Sequence, residues 1–273
     1  MNKFYNEYYI ENGVLNEINK LDESLTKEGK SLYEVIRIIE GKPLFLEKHL
    51  ERFEISASLE NLELWYTYYE IKKYIEELIK ANKRKTGNIK IVFNFNDKNT
   101  FLCYFIKHSY PREEQYKEGV KTILYHGERQ NPNAKVIDNN FRKKVQDDIN
   151  ENKVFEAILV DRNGYITEGS RSNIFMVKEG KVITATVKAV LPGVTRNSII
   201  DVCEKLNIEI LEKNISYKNI DSLDGIFISG TSPKVLPICK VDSIKFDSAN
   251  NTTIRNIMKA YNKKIELYIK RYI

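Results

Sequence analysis

The sequence has few of the residues that build disulfide frameworks and metal sites. Its 273 residues include only three cysteines and three histidines. The cysteines are far apart and form no Cys-x-x-Cys pair, which favours a reducing compartment over a disulfide-bonded protein. No histidine has ligand spacing to another histidine or to a cysteine, so we predict no metal site. The residues concerned are Cys103, Cys203, Cys239, His49, His108 and His126.

Long apolar runs and a strong charge of one sign are also absent. No apolar stretch approaches the roughly 18 residues that a membrane-spanning helix needs, and the amino end pairs no basic segment with an apolar core. We therefore expect a cytoplasmic protein without membrane contact. The formal net charge is +6, and lysine is mixed with glutamate through segments such as Glu70–Lys85. That mixing is typical of a solvated helix face, so we predict no binding to nucleic acid.

The length and the pattern of elements predict two domains. A chain of 273 residues is long for a single core. Apolar and polar residues alternate over Leu32–Ile39, and Tyr69–Asn82 has the spacing of an amphipathic helix, so residues 1–109 are predicted to form an α+β domain. The polar stretch 110–115 contains a proline and is predicted to be a linker. Residues 116–273 are predicted to form the second domain.

A turn is predicted directly after the first strand. The sequence Glu40-Gly41-Lys42-Pro43 has turn composition, and it predicts a hairpin in which Leu44–Leu46 returns beside Leu32–Ile39. Apolar residues then recur near helical spacing from Leu46 onward. We therefore expect a hairpin followed at once by a helix.

Four ordered segments of the second half resemble a known family. They are Phe155-Glu156-Ala157-Ile158-Leu159, Ile166-Thr167-Glu168-Gly169-Ser170-Arg171-Ser172-Asn173-Ile174-Phe175, Leu191-Pro192-Gly193-Val194-Thr195-Arg196 and Phe227-Ile228-Ser229-Gly230-Thr231-Ser232. Together they are similar to the signature of the class IV aminotransferases, the fold-type IV enzymes that bind pyridoxal 5′-phosphate. The resemblance implies an α+β / α/β fold of two domains, with a small N-terminal α+β sandwich and a larger C-terminal pseudo-barrel domain.

Two residues are expected to carry the cofactor chemistry. Pyridoxal phosphate needs an amine for its aldehyde, a carboxylate beside its pyridine nitrogen and several donors around its phosphate. The family's Schiff-base lysine lies a short stretch before the Phe-Glu-Ala strand, which implies Lys135 here. The family glutamate that faces the ring nitrogen matches Glu168, and an ionised acid there keeps that nitrogen protonated.

The phosphate is expected to meet donors from several segments. Val194 and Thr195 stand at the predicted start of a helix, where unpaired N–H groups and the helix dipole favour an anion. The resemblance assigns this contact to both of them and adds Gly230 and Thr231. It also assigns a phosphate clamp to Arg52, whose guanidinium offers the fork that a phosphate prefers.

The substrate contacts and the ring hydroxyl are less well matched to the family. Tyr33 corresponds to an active-site tyrosine, and Arg37 and Asn94 are further candidates for substrate binding. His49 is either a site residue or a helix histidine bonded to a neighbour. Many family members carry an asparagine or a tyrosine shortly after the lysine at positions that hold Asp138 and Asn140 here.

The resemblance leads to one function and two alternatives. The expected function is a pyridoxal-phosphate-dependent aminotransferase of amino-acid metabolism that transfers an amino group between an amino acid and a 2-keto acid through a Schiff base on Lys135. One alternative is 4-amino-4-deoxychorismate lyase, which also belongs to the family together with branched-chain and D-amino-acid aminotransferases. The other is a non-catalytic protein that retains the fold. Family resemblance also implies a homodimer.

Overall fold

The computed structural model describes residues 6–26 and 28–272, except for the side chains of Glu23 and Asn139. The chain forms two compact units. The first comprises the part of the chain up to Ser109, the segment Ala134–Ile137 and the end of the chain from Ile265. The second comprises Tyr110–Asn133 and Asp138–Lys264.

These units differ from the predicted domains in two segments. Lys135 and the C-terminal residues were expected in the second domain, but both lie in the first unit. The Tyr33 N–H donates to the Lys135 carbonyl at 3.1 Å, and the Tyr268 hydroxyl donates to Glu47 at 2.6 Å. The predicted linker 110–115 lies in the second unit, and a helix begins within it at Glu113.

The first unit is an antiparallel sheet with two helices. Its strands follow the order β2-β1-β6-β5-β3-β4. The strands are β1 (Tyr8–Glu11), β2 (Val14–Glu17), β3 (Lys30–Ile39), β4 (Lys42–Pro43), β5 (Thr86–Phe95) and β6 (Thr100–Ile106). The helices are α1 (Leu46–Leu59) and α2 (Tyr68–Ala81), with 3₁₀ turns at Ile18–Lys20 and Glu23–Thr26.

One face of this sheet packs against the two helices. The alternation predicted for the central strands places every second side chain on that face, where it meets the apolar sides of α1 and α2. Helix α2 begins with a capping box in which Thr67 and Glu70 satisfy each other's backbone N–H groups. The core on this face includes Leu32, Ile36, Leu50, Phe53, Ile71, Ile75, Leu78, Ile89, Ile91 and Phe93.

The hairpin predicted after β3 is shorter than expected. Only Lys42 and Pro43 pair with β3, opposite Ile39 and Ile38. Phe45 adopts the left-handed conformation with φ of 53°, which turns the chain out of the sheet, and α1 begins at Leu46. The prediction of a strand over Leu44–Leu46 is therefore wrong.

The second unit is a mixed sheet with flanking helices. Its strands are β7 (Val120–His126), β8 (Glu156–Val160), β9 (Tyr165–Gly169), β10 (Asn173–Lys178), β11 (Lys181–Thr184), β12 (Ile210–Glu212), β13 (Ile215–Ser216), β14 (Gly225–Gly230), β15 (Lys234–Val241) and β16 (Ile244–Lys245). Its helices are α3 (Glu113–Glu118), α4 (Asn139–Glu151), α5 (Val194–Lys205) and α6 (Thr252–Arg271), with 3₁₀ turns at Val187–Ala189 and Tyr217–Ser222. The last residues of α6 belong to the first unit.

The strands of the second unit close on themselves. Their order is β12-β11-β10-β14-β15-β7-β8-β9-β13, and β9 also pairs with β10 through Glu168 and Asn173. Six strands thereby form a closed, barrel-like sheet whose interior is apolar, with Ile158, Ile174, Ile228 and Leu236 fully buried. The predicted fold class, with an α+β first part and a pseudo-barrel second part, is confirmed. Within the described residues, no helix is both long enough and apolar enough to cross a membrane.

Candidate active site

Lys135 is held against strand β3 of the first sheet. Its segment bridges β3 at Leu32 and Val136, and the Ile137 N–H donates to the Ser31 carbonyl at 3.0 Å. The Lys135 N–H donates to the buried Ser56 hydroxyl of α1 at 3.3 Å. The half-buried side chain places its Nζ 4.6 Å from the centroid of the Tyr33 ring.

The three residues predicted to contact substrate share the face of the sheet that carries Tyr33. On β3, Tyr33 and Arg37 point to this face, and Asn94 lies opposite Ser31 on β5. The Asn94 amide is fully buried and donates to the Glu28 carbonyl and the Ser31 hydroxyl, both at 2.8 Å. These bonds commit its amide nitrogen to the protein, and a role in substrate binding stays a prediction.

A lysine that the sequence did not single out lies on the same face. Lys90 pairs with Val35 across the β3–β5 ladder, and its Nζ is 5.5 Å from the centroid of the Tyr33 ring. The signal was a single cation within the apolar run of β5. The Tyr33 ring therefore has two lysine side chains beside it, Lys90 and Lys135.

Arg52 and His49 meet a buried carboxylate on the opposite face of β3. The Glu34 side chain is fully buried, and its two oxygens accept from Arg52 Nε and Nη2, both at 2.7 Å. His49 Nδ1 lies 2.8 Å from Glu34 Oε2. Because His49 and Arg52 are three residues apart on α1, they share one face of that helix. The structure thus brings together the predicted phosphate arginine, His49 and an acid that the sequence did not single out.

The charges in this cluster determine its protonation. Burial alone would raise the pKa of Glu34, but the charge of Arg52 and the hydrogen bonds from His49 and Arg52 hold that pKa well below its usual range. An ionised Glu34 can only accept, so Nδ1 of His49 carries the hydrogen. Burial lowers the pKa of His49, and the charges of Arg52 and Lys135 oppose the effect of Glu34. The cluster therefore contains an anion, a cation and a neutral imidazole.

Glu168 is a buried acid of the second unit with its own cation. It lies at the end of β9 and is only 3% exposed. Its Oε1 accepts from Arg129 Nη1 at 3.2 Å, and its Oε2 accepts from the Leu191 N–H at 3.1 Å. Arg129 was not recognised in the sequence, where it is one charged residue in the polar loop before Lys135. The two donors favour the ionised form of the carboxylate.

The predicted phosphate-binding turn is the start of α5. Val194 and Thr195 are buried residues of its first turn, and the N-cap Gly193 provides no side-chain cap. Among the described residues, none accepts a hydrogen bond from the N–H of Val194 or Thr195. A side chain at Gly193 would collide with Asn173 Oδ1, which is the reason for glycine there. This helix start can therefore receive an anion.

The remaining predicted residues lie at the ends of other elements. Gly230 is the last residue of β14 and pairs with Lys234, and Thr231 follows it in the turn to β15; both are half-buried. Asp138 caps α4 by accepting from the Phe141 N–H at 3.0 Å, and Asn140 is exposed on that helix. The two positions that depart from the family pattern thus belong to the beginning of α4.

Comparisons with known proteins agree with this geometry. A D-alanine aminotransferase from Bacillus licheniformis is 27% identical over 251 residues, which cover 87% of this chain and 88% of that protein. A branched-chain-amino-acid aminotransferase from Pseudomonas aeruginosa is 25% identical over 256 residues, which cover 85% and 83%. Both relatives are aminotransferases that match along most of their length.

Solved structures share the fold at low identity. The branched-chain aminotransferase of Escherichia coli superposes with a TM-score of 0.86 at 22% identity, covering 95% of each chain. A second branched-chain aminotransferase, from T.th. and solved with pyridoxamine 5′-phosphate, gives 0.84 at 21% identity, covering 95% and 94%. A putative 4-amino-4-deoxychorismate lyase from Legionella pneumophila gives 0.78 at 20% identity, covering 86% and 91%. The fold-type IV architecture is therefore confirmed.

The family model described as amino-transferase class IV matches residues 31–241. That span contains all the segments on which the resemblance rested, from Tyr33 to Thr231. The predicted family and the predicted aminotransferase activity are both confirmed. This chain is an enzyme that belongs to the class IV aminotransferases.

Proposed function

We propose that this aminotransferase binds pyridoxal 5′-phosphate through Lys135 and moves an amino group between an amino acid and a 2-keto acid. The observation that carries the proposal is the position of Lys135, whose Nζ lies against the Tyr33 ring beside a second lysine, Lys90. Nucleophilic lysines are typically desolvated or placed next to other cations. Lys135 has both surroundings, because it is half-buried and near Arg52 as well.

The other predicted residues fit the remaining parts of the cofactor. The uncapped first turn of α5 offers the N–H groups of Val194 and Thr195 to a phosphate. Arg52 uses two of its N–H groups on Glu34 and has three left for an anion. Glu168 is held as an anion suited to a protonated pyridine nitrogen. These donor and acceptor types are the ones the cofactor needs.

The protein's own groups then divide the work. When bound, pyridoxal phosphate supplies an aldehyde for the amino group and a ring that draws electrons from the substrate α-carbon. Lys135 Nζ accepts and returns the proton at that carbon. Glu168 keeps a negative charge beside the ring nitrogen. Lys90 and Arg37, which share the Tyr33 face, are placed to bind a substrate carboxylate.

We propose an amino acid with a small or branched aliphatic side chain as the substrate. The supporting observation is that the relatives are named for D-alanine and for branched-chain amino acids. The lyase is not favoured, because these relatives are aminotransferases and the lyase structure is only 20% identical. The non-catalytic alternative is not favoured either. A homodimer and a cytoplasmic location stay predictions from the sequence.

The test is a substrate panel combined with mapping of the lysine. Purified protein is incubated with pyridoxal phosphate, reduced with borohydride, digested and analysed by mass spectrometry. We expect a yellow protein whose colour borohydride removes, with the modification on Lys135. Lys135→Ala should fold, stay colourless and lose turnover. A modification on Lys90 instead would overturn the assignment of Lys135.

Activity is measured with L- and D-amino acids, each paired with a keto acid, and separately with aminodeoxychorismate. We expect transamination of one hand of an aliphatic amino acid. The hand that reacts decides between the two kinds of relative. Release of pyruvate from aminodeoxychorismate without transamination would show that the protein acts as the lyase.

A further inference from the structure

A buried acid without an assigned role lies beneath the predicted phosphate arginine. The Glu34 side chain has no exposed surface, and that of Arg52 is 8% exposed. Both Glu34 oxygens bond to Arg52, through Nε and Nη2 at 2.7 Å. Glu34 is the single charged residue among the apolar side chains that β3 directs toward α1.

Stability alone does not account for such a pair. Removing two charges from water costs free energy that their attraction offsets only partly, and a buried pair can often be replaced by apolar residues without loss of stability. A bidentate pair does fix orientation, because the planar guanidinium must lie with one edge against the carboxylate. Here the Nε–Nη2 edge is fixed by Glu34.

The fixed edge determines which donors remain. Two of the five N–H groups of Arg52 bond to Glu34, which leaves one on Nη2 and two on Nη1. Within residues 6–26 and 28–272, Arg52 makes no other side-chain hydrogen bond. His49 contacts Glu34 Oε2 from the same helix and limits movement of the carboxylate. The remaining donors therefore keep one direction.

We propose that Glu34 is a positioning residue that holds the Arg52 guanidinium ready for the cofactor phosphate. This inference rests on the proposed cofactor and on Arg52 as its phosphate clamp. Glu34 acts through Arg52 and makes no contact with the phosphate itself. Its removal should therefore weaken recognition of the phosphate group and leave recognition of the rest of the cofactor unchanged.

The experiment compares two ligands that differ only in the phosphate. Dissociation constants of pyridoxal 5′-phosphate and of pyridoxal are measured by absorbance titration for the wild type and for Glu34→Gln. We expect the preference for the phosphorylated ligand to fall at least about tenfold in Glu34→Gln, since one charge-assisted contact is lost. Affinity for pyridoxal should stay unchanged. An equal loss for both ligands would show general damage and overturn the proposal.

Two further variants separate the failure of this inference from failure of the proposed function. Arg52→Met should remove the same preference, and Glu34→Gln should have no added effect in that background, because the two residues act as one unit. If Arg52→Met keeps the preference, Arg52 is not the clamp and the cofactor assignment fails with it. If Arg52→Met loses it but Glu34→Gln keeps it, only the role of Glu34 fails.

A third variant tests the same point if Glu34→Gln does not fold. Arg52→Lys keeps the buried charge paired but cannot span both carboxylate oxygens and still present an oriented donor. We expect it to lose the preference for the phosphorylated ligand to about the same extent as Arg52→Met. A full wild-type preference in Arg52→Lys would show that orientation by Glu34 is not needed.

Discussion

Replacing Glu168 by glutamine separates its charge from its shape. The Glu168 carboxylate accepts from Arg129 on one oxygen and from the Leu191 N–H on the other. In either orientation a glutamine amide turns its NH₂ group toward one of these donors. A buried donor left without an acceptor costs about 1–3 kcal/mol, so we expect the free energy of unfolding to fall by roughly 2 kcal/mol.

The effect on catalysis should be larger than the effect on folding. Without the negative charge the ring nitrogen of the cofactor is no longer held protonated, and negative charge at the substrate α-carbon is less well stabilised. We expect kcat to fall by about 100-fold, which corresponds to about 2.7 kcal/mol of transition-state stabilisation. Steady-state kinetics measure this loss, and urea unfolding measures the loss of stability.

A second buried acid of the same unit provides the matched control. Glu156 is 2% exposed and accepts from the hydroxyls of Ser170 and Ser172 at 2.5 and 3.1 Å. Both hydroxyls can reorient to suit an amide. Glu156→Gln should therefore be slightly destabilised and keep most of its turnover. Near-normal turnover in Glu168→Gln, or an equal loss in Glu156→Gln, would refute the role of the Glu168 charge.

Two further predictions concern the first unit. Lys90→Gln should raise the KM for the amino-acid substrate about tenfold with Lys90→Arg restoring it, whereas the exposed Lys85→Gln should leave KM unchanged; an unchanged KM in Lys90→Gln would show that it does not bind the carboxylate. Tyr268→Phe removes a hydroxyl that donates to Glu47 at 2.6 Å and accepts a backbone N–H of α1 at 3.2 Å, so urea unfolding should show a loss of about 1–2 kcal/mol. Tyr272→Phe is the control, because its buried hydroxyl has no ordinary hydrogen bond among the described residues. Burial raises the pKa of Tyr268, and so does Glu47; wild-type stability should therefore fall as the pH rises past about 10, the value in unfolded chains, and Tyr268→Phe should lose part of that fall.

Patterns with a regular period were predictable from the sequence, and short elements were not. Strand β3 and helix α2 were found within two residues of their ends because their apolar spacing is regular over many residues. The four-residue strands β1 and β2 were missed, although Asn12 and Gly13 between them have φ of 46° and 80° and form a typical hairpin turn. That Asn-Gly pair was a usable signal.

Strand β15 was missed for another reason. It contains Pro237, which normally argues against a strand inside a sheet because proline cannot donate to the ladder. In the structure Pro237 pairs with Phe227 of β14, and the ladder to β7 is irregular between Ile238 and Lys240. The local irregularity accommodates the missing donor. Local sequence could not show this, because it depends on the two neighbouring strands.

The residues of the candidate site divide in the same way. Family motifs identify the groups expected to touch the cofactor, such as Glu168 and Arg52, because those motifs are continuous in sequence. Their charged partners, Arg129 and Glu34, are distant in sequence and become visible only when the chain is folded.

The pairing has a physical reason. A lone buried charge would be strongly destabilising, so a charge kept ready for a ligand must be compensated when no ligand is bound. Glu168 has Arg129 in the second unit, and Arg52 has Glu34 in the first. In each case the partner neutralises the charge and also fixes its direction. A search for functional residues in this family should therefore include the buried counter-ion of every charged motif residue, since its loss would disturb the site without touching the ligand.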